Sequence, residues 1–262
     1  MSPITALQGP DFSLQGKRAL ITGSTQGLGL AMAHACAAYG AHVTINGRDT
    51  QRTQVVADTI TAQGGQSDVW VQDIGKIDAL QLAYEQLCES GSAPDILINN
   101  VGIRQRKSLA DTSLTEIIEL INVNLVAAVE LSRLAAQAMQ NSQKPGRIIT
   151  VTSIAGELAR YGDAIYPVAK QGLAGLIRAV AVEYGRYGIT SNGIAPGTFA
   201  TESNAALASH PVNWPKVLGR NPLARWARPD EITGAAIFLA SPAASYVNGH
   251  IIVVDGGFSV TF

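Results

Sequence analysis

Apolar residues in this chain gather in short unbroken runs, separated by longer stretches in which they recur every three or four positions. The runs lie at Arg18-Ala19-Leu20-Ile21-Thr22, His42-Val43-Thr44-Ile45, residues 68–71, Ile96-Leu97-Ile98, residues 147–151, residues 189–194 and Ile251-Ile252-Val253-Val254. A strand with one wet face alternates apolar and polar residues, whereas a continuous run predicts a strand covered on both faces. The periodic stretches predict helices at about 30–39, 50–63, 77–89, 115–139 and 166–184, and one more after Pro229. Gly40 and Gly64-Gly65 stand where helix ends want a residue without a Cβ. Strand and helix alternate to the end of the chain, which predicts an α/β fold: a doubly wound, roughly seven-stranded parallel sheet with helices on both faces.

No internal repeat, low-complexity tract or linker interrupts the pattern, so residues 1–262 are expected to form one domain. Residues 1–15 are a weakly patterned arm. The segment 198–220, with His210-Pro211 and Trp214-Pro215, has irregular periodicity and is expected to be a lid over a substrate.

Composition narrows the function classes. Hydrophobic residues make up 47 % and charged residues 15 %, enough apolar material for a large core, and the net charge is -1. No basic stripe suggests nucleic acid and no lysine-rich amphipathic segment suggests a membrane surface. No apolar run approaches the ~18 residues of a membrane span, and the first residues lack a secretory pattern. Cys36 and Cys88 sit far apart in helical stretches and read as small buried hydrophobes, not as a disulfide or a metal site. A cytoplasmic protein without metal is expected.

The first strand runs into Gly23-Ser24-Thr25-Gln26-Gly27-Leu28-Gly29, which opens a helix. Glycines there permit a tight turn and a close backbone approach, so that a pyrophosphate can rest on amide groups at the helix N-terminus. The second strand ends in Asn46-Gly47-Arg48. A carboxylate at that end binds a ribose diol, whereas a cation suits a 2′-phosphate. Arg48 therefore predicts NADP(H), with neighbouring Asp49 leaving NAD(H) as the other possibility. Ser153 follows the fifth strand, and Tyr166 and Lys170 lie one helical turn apart. An ammonium beside a phenol favours the phenolate, lowering it from about 10, and a serine hydroxyl can hold the same substrate oxygen. These are the parts of acid–base chemistry at a carbinol or carbonyl. A Tyr-x-x-x-Lys pair by itself is common on helices, and its order relative to the other motifs carries the weight.

Thr22-Gly23-x-x-x-Gly27-x-Gly29, Asn99-Asn100-x-Gly102, Asn124, Ser153, Tyr166-x-x-x-Lys170 and Pro196-Gly197 occur in the order and spacing of the short-chain dehydrogenase/reductase family. The chain resembles that family from about residue 14 to 257, and so resembles a Rossmann-like fold. Two departures are visible: Val101 where the family usually has alanine, and Pro167 directly after the tyrosine, which a first helical turn tolerates. The resemblance implies Tyr166 as general acid/base, Lys170 as the group that lowers its pKa and holds the nicotinamide ribose, and Ser153 as the residue orienting the substrate oxygen. It implies Asn124 in a water-linked relay to the lysine. It places Thr25, Gln26, Leu28, Asp73, Ile74, Asn100, Val101, Gly102, Pro196, Gly197 and Thr198 along the cofactor, with Gly23, Gly27, Gly29, Asn46 and Arg48. The family's usual tetramer is also implied.

Substrate signals are thinner. Gly102-Ile103-Arg104-Gln105-Arg106-Lys107 puts three cations after the fourth strand, at the edge where such sheets bind ligands. Glu157-Leu158-Ala159-Arg160, Phe199-Ala200-Thr201-Glu202 and residues 221–226 look most like the gluconate 5-dehydrogenase branch of the family. On that resemblance Arg104 pairs with a sugar-acid carboxylate, and Glu157 or Arg160 meets hydroxyls. A 3-ketoacyl or other bulky-carbonyl reductase, and an NADPH-binding sensor without turnover, are the alternatives.

Overall fold

The computed structural model describes residues 9–205 and 219–261. Seven strands form one parallel sheet in the order β3-β2-β1-β4-β5-β6-β7. They are β1 (Arg18–Ile21), β2 (His42–Gly47), β3 (Gln66–Val71), β4 (Ile96–Asn99), β5 (Arg147–Val151), β6 (Thr190–Pro196) and β7 (Ile251–Val254). The α-helices among the described residues are α1 (Gly27–Ala38), α2 (Thr50–Ala62), α3 (Ile77–Leu87), α4 (Leu114–Ile121), α5 (Ala127–Ser142), α6 (Ile165–Tyr184) and α7 (Thr233–Ala240).

The unbroken strand runs have a simple cause. Ala19 and Ile21 of β1, Ile96 and Ile98 of β4 and Ile149 and Val151 of β5 face one core, built with Met32 and Cys36 of α1, Ile60 of α2 and Ile237 of α7. Their neighbours Leu20, Leu97 and Ile148 face the opposite core, with Tyr84 of α3, Leu131 and Ala135 of α5 and Val180 of α6. Both faces are dry, so a polar side chain in these strands carries a desolvation cost, as at Thr150, whose buried hydroxyl has no hydrogen-bond partner among the described residues. Within the arm, Leu14 is buried and its amide donates to the Tyr39 carbonyl, so the arm is tied down from there on.

Strand order reverses between β1 and β4, and the carboxyl ends of the strands there open a crevice. The helix expected over 115–139 is divided: α4 and α5 are joined by a π-helical turn, Asn122–Val126. Ser113 caps α4 in a reciprocal pair with Glu116. Of the lid expected over 198–220, residues 206–218, with His210 and Trp214, lie outside the described residues.

Candidate active site

A cleft of about 640 Å³ lies along the carboxyl ends of β1, β2, β4, β5 and β6. Its walls include Gly23, Thr25, Gln26, Gly27 and Leu28 from the first turn, Arg48, Asp73 and Ile74 beyond β2 and β3, and Ser153, Tyr166, Lys170, Pro196 and Gly197. Gly23 and Gly27 have positive φ, 61° and 56°, which only glycine adopts cheaply. Gly29 lies beneath the turn. A Cβ there would stand 2.4 Å from the Gly23 carbonyl oxygen and 2.5 Å from Asn100 Nδ2.

Three asparagines prove to be clamps. Asn46 is buried; its Oδ1 accepts from the Gly23 amide at 3.0 Å and its Nδ2 donates to the Trp70 and Gln72 carbonyls. It shapes the glycine turn from below, with both Nδ2 hydrogens committed to backbone carbonyls. Asn100 Nδ2 donates to the Thr22 and Gly23 carbonyls, locking the exits of β1 and β4 together. Asn124 is 1 % exposed, with Oδ1 accepting from the Ile103 amide and Nδ2 donating to the Ile103 carbonyl, each at 2.7 Å. Each end of that amide makes one bond to Ile103, so the side chain pins the loop after β4. The π-helical turn is what swings Asn124 toward that loop.

Across the cleft, Ser153 Oγ accepts from the Ala155 amide at 3.1 Å, and its hydroxyl faces the Tyr166 phenol. Pro167 falls in the first turn of α6 without penalty. Lys170 is 3 % exposed and its Nζ donates to the Val151 carbonyl at 3.0 Å. Burial pulls its pKa down to about 8. The phenol of Tyr166 is held above its ordinary value by burial, against the opposing pull of Arg104, the Ser153 hydroxyl and Arg106. The cation nearer the ring is not the lysine expected from the spacing: Arg104 Cζ stands 4.6 Å from the ring centroid and Lys170 Nζ 5.7 Å.

The depressed lysine has a consequence for stability. Unfolded, Lys170 protonates below about 10.5; folded, below about 8. Between those values the unfolded chain binds the extra proton, so this residue's contribution makes stability rise as pH climbs from about 8 to 10.5. The difference in melting temperature between wild type and Lys170→Met should narrow or reverse in the wild type's favour across that window. A difference that is flat with pH would mean that the ammonium is not desolvated.

At the end of β2 Arg48 is 77 % exposed, its Nη1 3.9 Å from Asp73 Oδ2. Asp49 caps α2 by accepting from the Arg52 amide at 2.8 Å, which commits its carboxylate to the helix. Arg52 also lines the cleft, donating to Gln26 Oε1 at 3.0 Å, and sequence reading missed it. The signal was available: an Asp cap at residue 49 places residue 52 in the first helical turn, beside the phosphate-binding loop. Thr198 carries a buried hydroxyl with no hydrogen-bond partner among the described residues, beside Gly197, where a Cβ would stand 2.6 Å from that of Asp255. The glycine turn on the cleft wall at Gly23 and Gly27 and the orphaned Thr198 hydroxyl suit an extended phosphate-bearing ligand with polar groups at its far end.

The expected substrate residues are only partly brought together. Arg104 reaches the cleft, but its Nε and Nη2 both donate to Asp163 Oδ2, the first at 2.8 Å. Its guanidinium thus already carries a carboxylate. Lys107 is paired with Glu116. Glu157 and Arg160 stand on exposed backbone after the Ser153 turn and do not line the cleft. No group of His, Cys, Asp or Glu among the described residues is arranged to hold a metal, and no helix among them is long and apolar enough to cross a membrane.

The profile of a family described as enoyl-(acyl carrier protein) reductase matches residues 23–259. Gluconate 5-dehydrogenase of Gluconobacter oxydans is 36 % identical over 253 residues, 96 % of this chain and 98 % of that protein. A 3-oxoacyl-[acyl-carrier-protein] reductase of Synechocystis is 35 % identical over 247 residues, covering 94 % and 98 %. The crystal structure of a gluconate 5-dehydrogenase from Burkholderia cenocepacia, in complex with NADP and tartrate, superposes with a TM-score of 0.92 at 36 % identity, covering 96 % and 98 % of the two chains.

Proposed function

Because the chain belongs to the short-chain dehydrogenase/reductase family, a family of oxidoreductases, we propose that it is an NADP-dependent enzyme interconverting a secondary alcohol and a ketone on a sugar acid of the gluconate/5-ketogluconate type. The observation that carries the reaction class is the placement of Ser153, Tyr166 and Lys170 on one wall of the cleft that begins at the glycine turn. When bound, the nicotinamide supplies the hydride acceptor or donor. Ser153 holds the substrate oxygen; Tyr166 takes the hydroxyl proton in oxidation and returns it in reduction. Lys170, Thr198 and the Gly23–Gly29 turn hold the cofactor, and Arg48 with Arg52 supports a 2′-phosphate. On this reading residues 1–262 act as one unit, working in the cytoplasm as a homotetramer. The exposed apolar residues Leu114 and Ile118 of α4 and Val168 of α6 support that assembly.

Two things favour an acidic substrate. Arg104 contacts Asp163, and both Arg104 and Arg106 act on the Tyr166 phenol against the single carboxylate of Asp163, leaving positive charge in excess there. The Burkholderia relative holds tartrate, a hydroxy acid. The rival reading, a 3-oxoacyl reductase, has the Synechocystis relative behind it. Absorbance of the reduced nicotinamide separates the two, with NADP and gluconate in one direction and NADPH with 5-ketogluconate or an acyl-thioester ketone in the other. Turnover of the thioester without the sugar acids would replace the first reading by the second. Cofactor binding with no turnover on any carbonyl would favour a sensor.

Removing one charge-assisted phosphate contact costs about 1.5–3 kcal/mol. Arg48→Ala should therefore raise KM for NADP by about 10- to 100-fold and leave KM for NAD unchanged. Equal values for the two cofactors in both proteins would remove the 2′-phosphate role from Arg48.

A further inference from the structure

We infer that the Arg104–Asp163 pair is a built-in electrostatic prop for Tyr166: buried Asp163 fixes the Arg104 guanidinium against the phenol ring, and the guanidinium stabilises the phenolate. This rests on the reading of Tyr166 as the group that moves the proton.

The geometry is specific. Asp163 is 2 % exposed and lies three residues before Tyr166, just outside α6. Both donors on one edge of Arg104 converge on its Oδ2, a forked, charge-assisted contact that restrains the guanidinium plane, while the buried Oδ1 has no hydrogen-bond partner among the described residues. The restrained plane sits 4.6 Å from the Tyr166 centroid. A cation over an aromatic face is attracted to its π-electrons, and the attraction grows when the ring becomes an anion. The groups that face Tyr166 are Arg104 and Arg106 from the loop after β4, Ser153 from the turn after β5, Asp163 before α6, and Lys170 from α6 itself.

Lys170 is the less suitable prop. Its Nζ is 5.7 Å from the ring centroid and donates to the Val151 carbonyl, and above a pH of about 8 it gives up its own charge. A guanidinium keeps its charge throughout that range. Arg104 outranks Asp163 among the charges acting on the phenol, so the pair taken together favours the phenolate. Asp163 is a positioning residue: it acts through Arg104, and its own charge opposes the phenolate.

That opposition supplies a test with diverging signs. Difluorotyrosine installed at position 166 alone lowers the phenol into a convenient pH range, and its fluorine resonance reports ionisation in the full chain without cofactor or substrate. The neutral pair Arg104→Gln/Asp163→Asn preserves a hydrogen bond and avoids burying an unpaired charge. It should raise the titration midpoint by about one pH unit or more. Asp163→Ala frees the partly exposed Arg104 to turn to water and should also raise the midpoint. Arg104→Lys, with a cation but no fork, should fall between wild type and the neutral pair. An unchanged midpoint in the neutral pair overturns the prop. A lowered midpoint in Asp163→Ala makes Asp163 a bystander anion and overturns the positioning role. No turnover enters the measurement, so an error in the substrate reading leaves it untouched, and its failure leaves the turnover assays standing.

Discussion

Tyr166→Phe should lower kcat by about 10²- to 10⁴-fold, the range that a positioned general acid/base contributes, while binding NADPH as tightly as wild type. The substitution removes one hydroxyl and leaves the ring, so Arg104 keeps its stacking partner and α6 keeps its packing. What disappears is the phenolic hydroxyl beside Ser153, the atom proposed to exchange a proton with the substrate. Stopped-flow reduction of a ketone substrate measures the chemical step, and quenching of protein fluorescence by NADPH measures binding. If the variant turned over at the wild-type rate, proton transfer would have to pass to another group on the same wall. Lys170, with a pKa of about 8, would be the next to test. Loss of NADPH binding along with turnover would instead make the phenol a cofactor contact first and an acid second.

Much of this arrangement is legible in the chain, for reasons that differ from element to element. The seven strands can be read because each sits between two dry layers, a constraint that leaves its mark on every residue of Ile96-Leu97-Ile98 or Ile148-Ile149. The serine, tyrosine and lysine can be read because a strand end and one helical turn fix their separation. The π-helical turn at Asn122–Val126 leaves no such mark. It exists to let Asn124 grip the Ile103 backbone across 21 positions of sequence, and the apolar periodicity on either side runs through it unchanged. Asn46 and Asn100 show the same limit. Sequence places both at the rim of the cleft, which they line, but it does not show that their side chains hold strand exits together. Polar residues at the rim of a parallel sheet must first satisfy the backbone where the ladder ends. Arg104 is the sharpest case: its partner Asp163 is 59 residues away and belongs to no motif.

The same accounting of backbone groups makes Gly29→Ala the most damaging single-methyl change expected in the described chain. The new Cβ would lie 2.4 Å from the Gly23 carbonyl oxygen and 3.0 Å from its carbon, both backbone atoms that cannot rotate away. Relief requires α1 to back off from β1, and the Gly23 and Thr22 carbonyls then lose Asn100. Overpacking a well-filled site costs about 1–3 kcal/mol, and a backbone clash belongs at the upper end or beyond. Cofactor affinity should suffer more than stability, because the amides that meet a pyrophosphate belong to the part that moves. Gly175→Ala is the matched control. It adds the same methyl in the middle of α6, where nothing lies within 4 Å, and should stabilise the fold by about 0.5–1 kcal/mol. Urea unfolding of the two variants, with NADPH titrations of each, measures both effects. Equal stability and equal NADPH affinity in the two would mean that α1 is not seated on the Gly23 turn, and the cradle would lose its role in holding the cofactor.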